Sequence, residues 1–459
     1  MEITKTATVL GGGLSGISCA IYLQQFGYKV SLVESRQFLG GRSFSFKYQW
    51  PSETIDNGQH VALGCCSYFF DFLDKIDASQ YWVSGGPLNI SIRDTCGNKS
   101  VLRESTWLFP FHLIPGILRF PFISYLERIG IILAMLMAKI QSESQVMSEV
   151  SFHDWLKSHY QSDRVIKRFW SVIIKPVFND NLDNISASMG LMFLKVGLLG
   201  KQGSADVFYP TVGLSECIGF PSERYLRDVG CELYLGSAAE SIQMDGNRIG
   251  EVRLRSGQVV HSDIVVSALS YPNLIRVLDD SNIPLASISG DISELRSSGI
   301  MNVYLWYLRP PMEEKFCLVV DSPIESIFNR TDIIESNHTS DAMKLSADRY
   351  HCVVLSIGNV NNYMKWTHDE VVAFFVEELV RIFDDPDLKT PVHAKILKQH
   401  EATIRCQPGS TKYRSQCMTS IENFFISGDW TLTGWPSTME GAIRSGYSAA
   451  KYIHEVYCM

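Results

Sequence analysis

No stretch of this chain stays apolar long enough to cross a bilayer: the nearest candidate, Ile129 to Ala138, runs for about ten residues where roughly 20 are needed. Basic charge is not in excess either. The 41 Lys and Arg stand against 49 Asp and Glu, a net charge of −8, and no basic stripe is interleaved with aromatics, which argues against a nucleic-acid partner. The 11 cysteines, Cys65-Cys66 among them, form no CxxC and no paired metal spacing, so no metal site is expected and free thiols in a reducing cytosol are. The opening Met1-Glu2-Ile3-Thr4-Lys5 lacks the order of a secretory signal. Internal repeats and low-complexity linkers are missing too. What remains is a globular composition, 46% hydrophobic and 20% charged, over 459 residues, enough for two interwoven domains.

The most informative residues lie at the two ends. Thr8-Val9-Leu10 is a short apolar strand, Gly11-Gly12-Gly13-Leu14-Ser15-Gly16 follows at once, and Ile17 to Phe26 reads as a helix rich in small residues. In such a loop Gly11 permits the tight turn, Gly13 lets the backbone approach a pyrophosphate, and Gly16 lets helix and strand pack closely. The helix N-terminus offers free N–H groups and a positive dipole end to phosphates. Lys29 to Val33 forms a second strand ending in Glu34, whose carboxylate is placed to accept ribose hydroxyls, with Ser35 beside it. The loop alone does not separate NAD from FAD. Leu39-Gly40-Gly41-Arg42 does, because many flavoproteins place a Gly-Gly-Arg here, with backbone and guanidinium reaching the phosphates and the flavin edge.

About 400 residues later, Asn423 to Ser427 is an apolar strand that carries Gly428-Asp429 to the carboxyl end of a sheet, where ligands of such folds sit. Pro436 then opens a helix near Ser437-Thr438-Met439, whose N-terminus would face the electron-rich pyrimidine of a reduced flavin. Asp429 would act on the ribityl or pyrophosphate region. Between the ends, residues 85–200 read as mostly helical, with Ser151 capping a helix start. Glu232 to Leu235, Ile249 to Leu254 and Val259 to His261 read as a strand meander, and Asp263 to Ala268 as a buried strand rejoining a parallel sheet. Residues 107–140 are the most apolar part of the chain; they suit buried core helices, an apolar tunnel, a monotopic membrane-facing surface, or more than one of these.

The glycine loop, Gly40-Gly41-Arg42, the middle strand pair ending near Ala239 and Gly428-Asp429 together resemble the flavin amine oxidase and phytoene desaturase superfamily over essentially the whole chain. The resemblance implies an α/β fold: a Rossmann-like FAD-binding domain of the amine oxidase type (1–84, 203–280 and 400–459), interleaved with a mixed α+β substrate domain with a helical subdomain (85–202 and 281–399). It also implies that Gly11, Gly13, Leu14, Ser15, Gly16, Glu34, Ser35, Gly40, Gly41, Arg42, Gly58, Gln59, His60, Ala239, Gly428, Asp429, Ser437, Thr438 and Met439 surround FAD.

Within that superfamily, Asp56 to Cys65 (Asp-Asn-Gly-Gln-His-Val-Ala-Leu-Gly-Cys) and Thr433 to Ala442 resemble the hydroxysqualene dehydroxylase family. Gly58-Gln59-His60 replaces the Gly-Gly of many amine oxidases, and Thr438 stands where they place an aromatic, which counts against amine oxidation. The implied reaction replaces an allylic hydroxyl of hydroxysqualene by hydrogen, with an acid assisting C–O cleavage and reduced flavin giving hydride. His60 is the first candidate acid, followed by Tyr209, Asp56 and Glu440. The expected partner is an apolar polyprenyl substrate, met by a cytoplasmic protein with peripheral contact at the inner face of a membrane. A carotenoid-type desaturase, an amine oxidase and a prenyl-binding protein of the Rab escort type remain as alternatives.

Overall fold

The computed structural model describes residues 5–50, 52–142, 145–288, 290–335 and 350–457, so most of the opening segment lies outside the described residues. A five-stranded, all-parallel sheet holds the two ends of the chain together. Its order is Glu232–Leu235, Lys29–Glu34, Thr6–Leu10, Ile264–Ser267, Phe424–Ile426. These strands are short apolar runs, as expected of strands covered on both faces. The helix Leu14–Gln25 leaves the first strand, and the last helix, Met439–Tyr457, lies against it. The two meet so closely that a Cβ on Gly446 would overlap the Ser15 carbonyl and come within 2.7 Å of the Cys19 nitrogen. Ser18 Oγ donates to the Ile443 carbonyl at 2.9 Å, fixing that approach.

An antiparallel meander does form, but its first strand is Ala239–Asp245, paired with Arg248–Leu254 and then Val259–Val260; Glu232–Leu235, expected to open it, instead joins the edge of the parallel sheet beside Lys29–Glu34. A seven-stranded mixed sheet makes the second layer, in the order His393–Ile404, Ser297–Tyr307, His351–Gly358, Ser326–Asn329, Phe316–Val320, Asn89–Asp94, Lys99–Arg103. Two corrections follow. The last two strands fall in a region expected to be mostly helical; their side chains complete this sheet, which only tertiary pairing reveals. The strand His393–Ile404 pairs with its neighbour as far as Ile404, so it runs through the domain boundary expected at 399/400.

One face of the seven-stranded sheet is sealed. Met301, Val303, Leu305, Val353, Leu355 and Ile357 pack on the helix His368–Phe383, whose ends are set by a Thr367–Glu370 capping box and a left-handed Asp384. The other face looks toward the first domain and toward a helical lobe spanning roughly 111–198, built around Phe120, Phe152, Trp155, Phe169 and Trp170.

In that lobe the helix Tyr125–Ile140 is apolar on two sides. Ile131, Ala134, Met135 and Ala138 face the lobe, while Tyr125, Leu126, Ile129, Leu133, Met137 and Ile140 are exposed. At 100° per residue the exposed set spans an arc of about 120° free of charge. Trp107, Leu108 and Phe111 are exposed just ahead of it. Among the described residues no helix is long and apolar enough to cross a membrane.

Candidate active site

The glycine loop is held by its neighbours before any ligand is considered. Gly11 N–H donates to the Val33 carbonyl at 2.7 Å and Gly40 N–H to the Gly12 carbonyl at 2.8 Å. A Cβ on Gly16 would overlap the Gly11 carbonyl, which is the close helix–strand approach that the third glycine serves. The Glu34 carboxylate accepts Gly12 N–H at 2.7 Å through Oε2, and Arg36 N–H at 2.8 Å and Ser35 Oγ–H at 2.9 Å through Oε1. A carboxylate has about four acceptor positions. Glu34 therefore spends most of its capacity shaping the loop, a part that the ribose role assigned from sequence did not include. Ala239 is buried at the start of the meander, in the same apolar cluster as Leu10 and Val33.

The C-terminal half closes on this loop. Ser15 Oγ donates to Ser427 Oγ at 2.9 Å. Gly428 N–H donates to Ser445 Oγ at 2.7 Å, and Thr431 Oγ1 donates to the Gly428 carbonyl at 2.8 Å. Asp429 accepts a hydrogen bond from Arg42 at 2.5 Å and one from the Ser437 hydroxyl. Burial would push its carboxyl up, but Arg42 and Ser437 together hold it below the usual carboxylate range, so Asp429 is anionic at neutral pH. Arg42, expected to reach phosphates, is thus committed to Asp429 and to the Ala402 carbonyl. Arg414, which the sequence did not single out, donates to the carbonyls of Asp429 and Thr431 at 3.2 and 3.4 Å and fixes this turn from below. The last helix starts at Met439, two residues later than Ser437, because Thr438 serves as its cap: Thr438 Oγ1 accepts Gly441 N–H at 3.2 Å.

The four acid candidates are spread over different surroundings. His60 Nδ1 bonds the Gly58 carbonyl at 2.7 Å, and burial lowers its pKa, so the ring is neutral. Gly58 lies against Asn302, whose Nδ2 is 3.1 Å from where a Cβ would stand. Asp56 accepts Leu214 N–H at 2.9 Å, and burial pushes its carboxyl up to about 6 against the pull of Arg330. Tyr209 lies among Ile55, Tyr304, Trp306 and Phe328, with burial pushing its hydroxyl up to about 12, so it is a wall residue of that aromatic cluster.

Glu440 is held by three donors, and burial raises its pKa against the pull of Arg444 and the backbone N–H groups. It accepts Phe69 N–H at 2.7 Å and Tyr68 N–H at 3.3 Å, at the start of the helix Ser67–Lys75, and pairs with Arg444 at 2.6 Å. Arg444 in turn lies between the Tyr68 and Trp435 rings, 4.4 and 4.3 Å from their centroids. Sequence alone showed the Glu440 carboxyl but not its three donors.

Three features of the cradle suit a dinucleotide with a hydrogen-bonding ring system. The helix Leu14–Gln25 begins at Gly13 with no side chain capping its first N–H groups. A Cβ on Gly13 would meet only the Gly41 Cα, at 3.8 Å, so space is left at the helix start. Gln59 Oε1 and Asn302 Oδ1 are buried without a protein partner. The main signal for Asn302 in sequence was a lone amide on the inward side of an apolar strand. Bound here, FAD supplies hydride chemistry, while the chain orients it and keeps water out.

The sequence pattern of flavin-containing amine oxidoreductases matches residues 14–454. Zeta-carotene desaturase of Zea mays is 24% identical over 97% of this chain and 82% of its own length, and 15-cis-phytoene desaturase of Synechococcus elongatus is 23% identical over 97% and 95%. Among solved structures, cyclohexylamine oxidase of Brevibacterium oxydans superposes with a TM-score of 0.69 at 17% identity, covering 100% of both chains. The fold is thus of the amine-oxidase FAD-binding type, and the chain belongs to the flavin-containing amine oxidoreductase family as an FAD-dependent oxidoreductase.

Proposed function

We propose that this enzyme acts on a long polyprenyl chain, and that its reaction is the reductive dehydroxylation of hydroxysqualene to squalene. The observation that carries this reading is the meeting of two sequence-distant segments. The two segments on which the resemblance to the dehydroxylases rests approach each other at Cys65: Glu440, within Thr433 to Ala442, takes the N–H groups of Tyr68 and Phe69 just past Cys65, and Glu440 and Arg444 both act electrostatically on the Cys65 thiol. Relatives named as carotene and phytoene desaturases support the apolar class of substrate.

A desaturation is the second reading, favoured by those same relatives along nearly the whole chain. The two differ in electron flow: dehydroxylation consumes reduced flavin, whereas desaturation needs oxidised flavin. Protein with reduced flavin, incubated without oxygen with hydroxysqualene, is expected to yield squalene by mass analysis. Dehydrogenation of a phytoene-like polyene by the oxidised form, with no squalene from the reduced form, supports the desaturase instead.

The reading includes a cytoplasmic protein that rests on the inner face of a membrane. Support comes from the uncharged exposed arc of the helix Tyr125–Ile140 and from the apolar slit beneath it, lined by Phe111, Ile114, Ile117, Ile132, Met135 and Leu199.

A further inference from the structure

Along the strand Ser297–Tyr307, side chains alternate between two environments. Odd-numbered Met301, Val303 and Leu305 are sealed under the helix His368–Phe383. Even-numbered residues point the other way, and the register orders what they meet. Trp306 Nε1 donates to Glu53, near Arg330, at 2.5 Å. Tyr304 Oη donates to the Asp56 carbonyl at 2.9 Å. Asn302 faces Gly58 and the His60 loop. Asn302 lies opposite Ser356, which lies opposite Ser326, and Ile300 lies opposite Gly358.

At this last level the sheet is not closed. Ile300 and Ser356 keep accessible surface although they sit on central strands, and Asn302, 2% exposed, leaves its Oδ1 unpartnered. Accessible side chains on one face of central strands leave space beside that face, and a buried amide oxygen with no partner among the described residues marks where a ligand or water is accepted.

One carboxyl group lies over that face of the sheet. Glu325 precedes the strand Ser326–Asn329; its N–H donates to the Ser356 carbonyl at 3.0 Å and its carbonyl accepts Val319 N–H at 3.2 Å. Its side chain lies over Gly358, where a Cβ would meet Oε2 at 2.8 Å and Oε1 at 2.9 Å. Gly358 thus leaves the space that the carboxyl fills, and it gives its N–H to the carboxyl. The roof is the end of the helix Ser171–Phe178. There the left-handed Asn179 accepts Ser298 Oγ–H at 2.7 Å, Lys175 approaches Glu325, and the buried Asp180 pairs with Arg405 at 3.1 Å.

These groups set the charge of Glu325. Burial raises its pKa most, Asp180 adds to the rise, and Lys175 and the Gly358 N–H oppose it, leaving it at about 7. Part of the population therefore carries a proton at neutral pH.

We propose that Glu325 is the polar end of the substrate cavity: its carboxyl group binds the hydroxyl of an allylic polyprenyl alcohol and donates the proton that lets this hydroxyl leave. The proposal rests on the dehydroxylation reading. Glu325 gives its proton to the hydroxyl oxygen, the C–O bond breaks, and both electrons leave on oxygen as water. The allylic cation then accepts a hydride, for which reduced flavin is the donor, and Glu325 remains as a carboxylate beside Lys175 until water reprotonates it. Two residues of strand, about 7 Å, separate the Gly358 level from the Asn302 level. The alcohol is thereby held beside the His60 loop, and no acid is required of His60, which burial keeps neutral.

The test uses flavin-loaded full-length protein and the variants Glu325→Gln, Glu325→Asp and Glu325→Ala, with flavin absorbance and melting temperature as controls of folding. In anaerobic single turnovers with hydroxysqualene, the wild-type rate is expected to fall as pH rises through about 7. Glu325→Gln should lose about 100-fold or more and that pH dependence, and Glu325→Asp should keep part of the rate with a displaced profile. Flavin absorbance titrations give a readout without turnover. Wild type should bind hydroxysqualene about tenfold more tightly than squalene, and Glu325→Ala, or Glu325→Asp if the alanine variant does not load flavin, should lose much of that preference.

If wild type makes no squalene, the dehydroxylation reading fails, and the titrations alone decide whether Glu325 receives a hydroxyl. A Glu325→Gln rate within about threefold of wild type with an unchanged pH profile, or an unchanged preference for the alcohol in Glu325→Ala, overturns the proposal.

Discussion

At the residue scale, Asp56 carries a pH signature that a surface carboxylate lacks. Its folded-state pKa, about 6, lies above its ordinary value of 3.8 because burial disfavours the charge. The native state therefore binds the extra proton, and the resulting stability is full below the unfolded value and lost as pH rises through about 6. The difference corresponds to about 3 kcal/mol. Replacing Asp56 by Asn keeps an oxygen for Leu214 N–H and should remove one proton's slope from stability between about pH 4 and 6, measured as melting temperature across that range. An unchanged slope in the variant would show that Asp56 titrates normally. Asp429 has the opposite sign: it stays ionised, and its contribution is lost only in acid, below the usual carboxylate range.

Among the elements, the pair formed by the first and last helices depends on a missing side chain. A Cβ on Gly446 would press on the Ser15 carbonyl and the Cys19 nitrogen, both backbone groups that cannot turn aside. Gly446→Leu should therefore push the helices apart, break Ser15–Ser427, and lower both melting temperature and retained flavin, with a cost of about 3 kcal/mol or more. Normal flavin content in that variant would separate the helix contact from the cofactor site.

How much of these elements the sequence disclosed varied with distance. The glycine loop, Glu34 and the meander's second and third strands were legible because their signals are local: spacing, turn residues and strand alternation. The surroundings of Glu440 were not legible because its donors, Phe69 and Tyr68, lie about 370 residues away in sequence. The hairpin Asn89–Asp94 with Lys99–Arg103 was missed for a related reason, since its partner strand is Phe316–Val320. Arg330, buried with Glu53 and Asp56, had no local signal at all.

For the molecule as a whole, the exposed arc of the helix Tyr125–Ile140 is the largest departure from an ordinary surface. Placing charge at its centre tests what it meets. The variant Leu126→Glu/Leu133→Glu should fold with normal flavin absorbance, since both side chains are exposed, at 79% and 55%. It should lose about tenfold or more in sedimentation with phosphatidylglycerol-containing vesicles, because two leucines that would insert are lost and two new charges oppose insertion. Equal sedimentation of variant and wild type would assign the arc to something other than lipid.

The joining of both chain ends at one cradle, through Ser15, Ser427 and Gly446, also sets an order in time. Translation at about 5–20 residues per second leaves roughly 20–80 seconds between the emergence of the glycine loop and that of the last helix. During that interval the nascent chain carries half a cradle, and flavin gains its second wall only once the helix Met439–Tyr457 has emerged, so cofactor capture waits on a segment made more than 400 residues after the glycine loop.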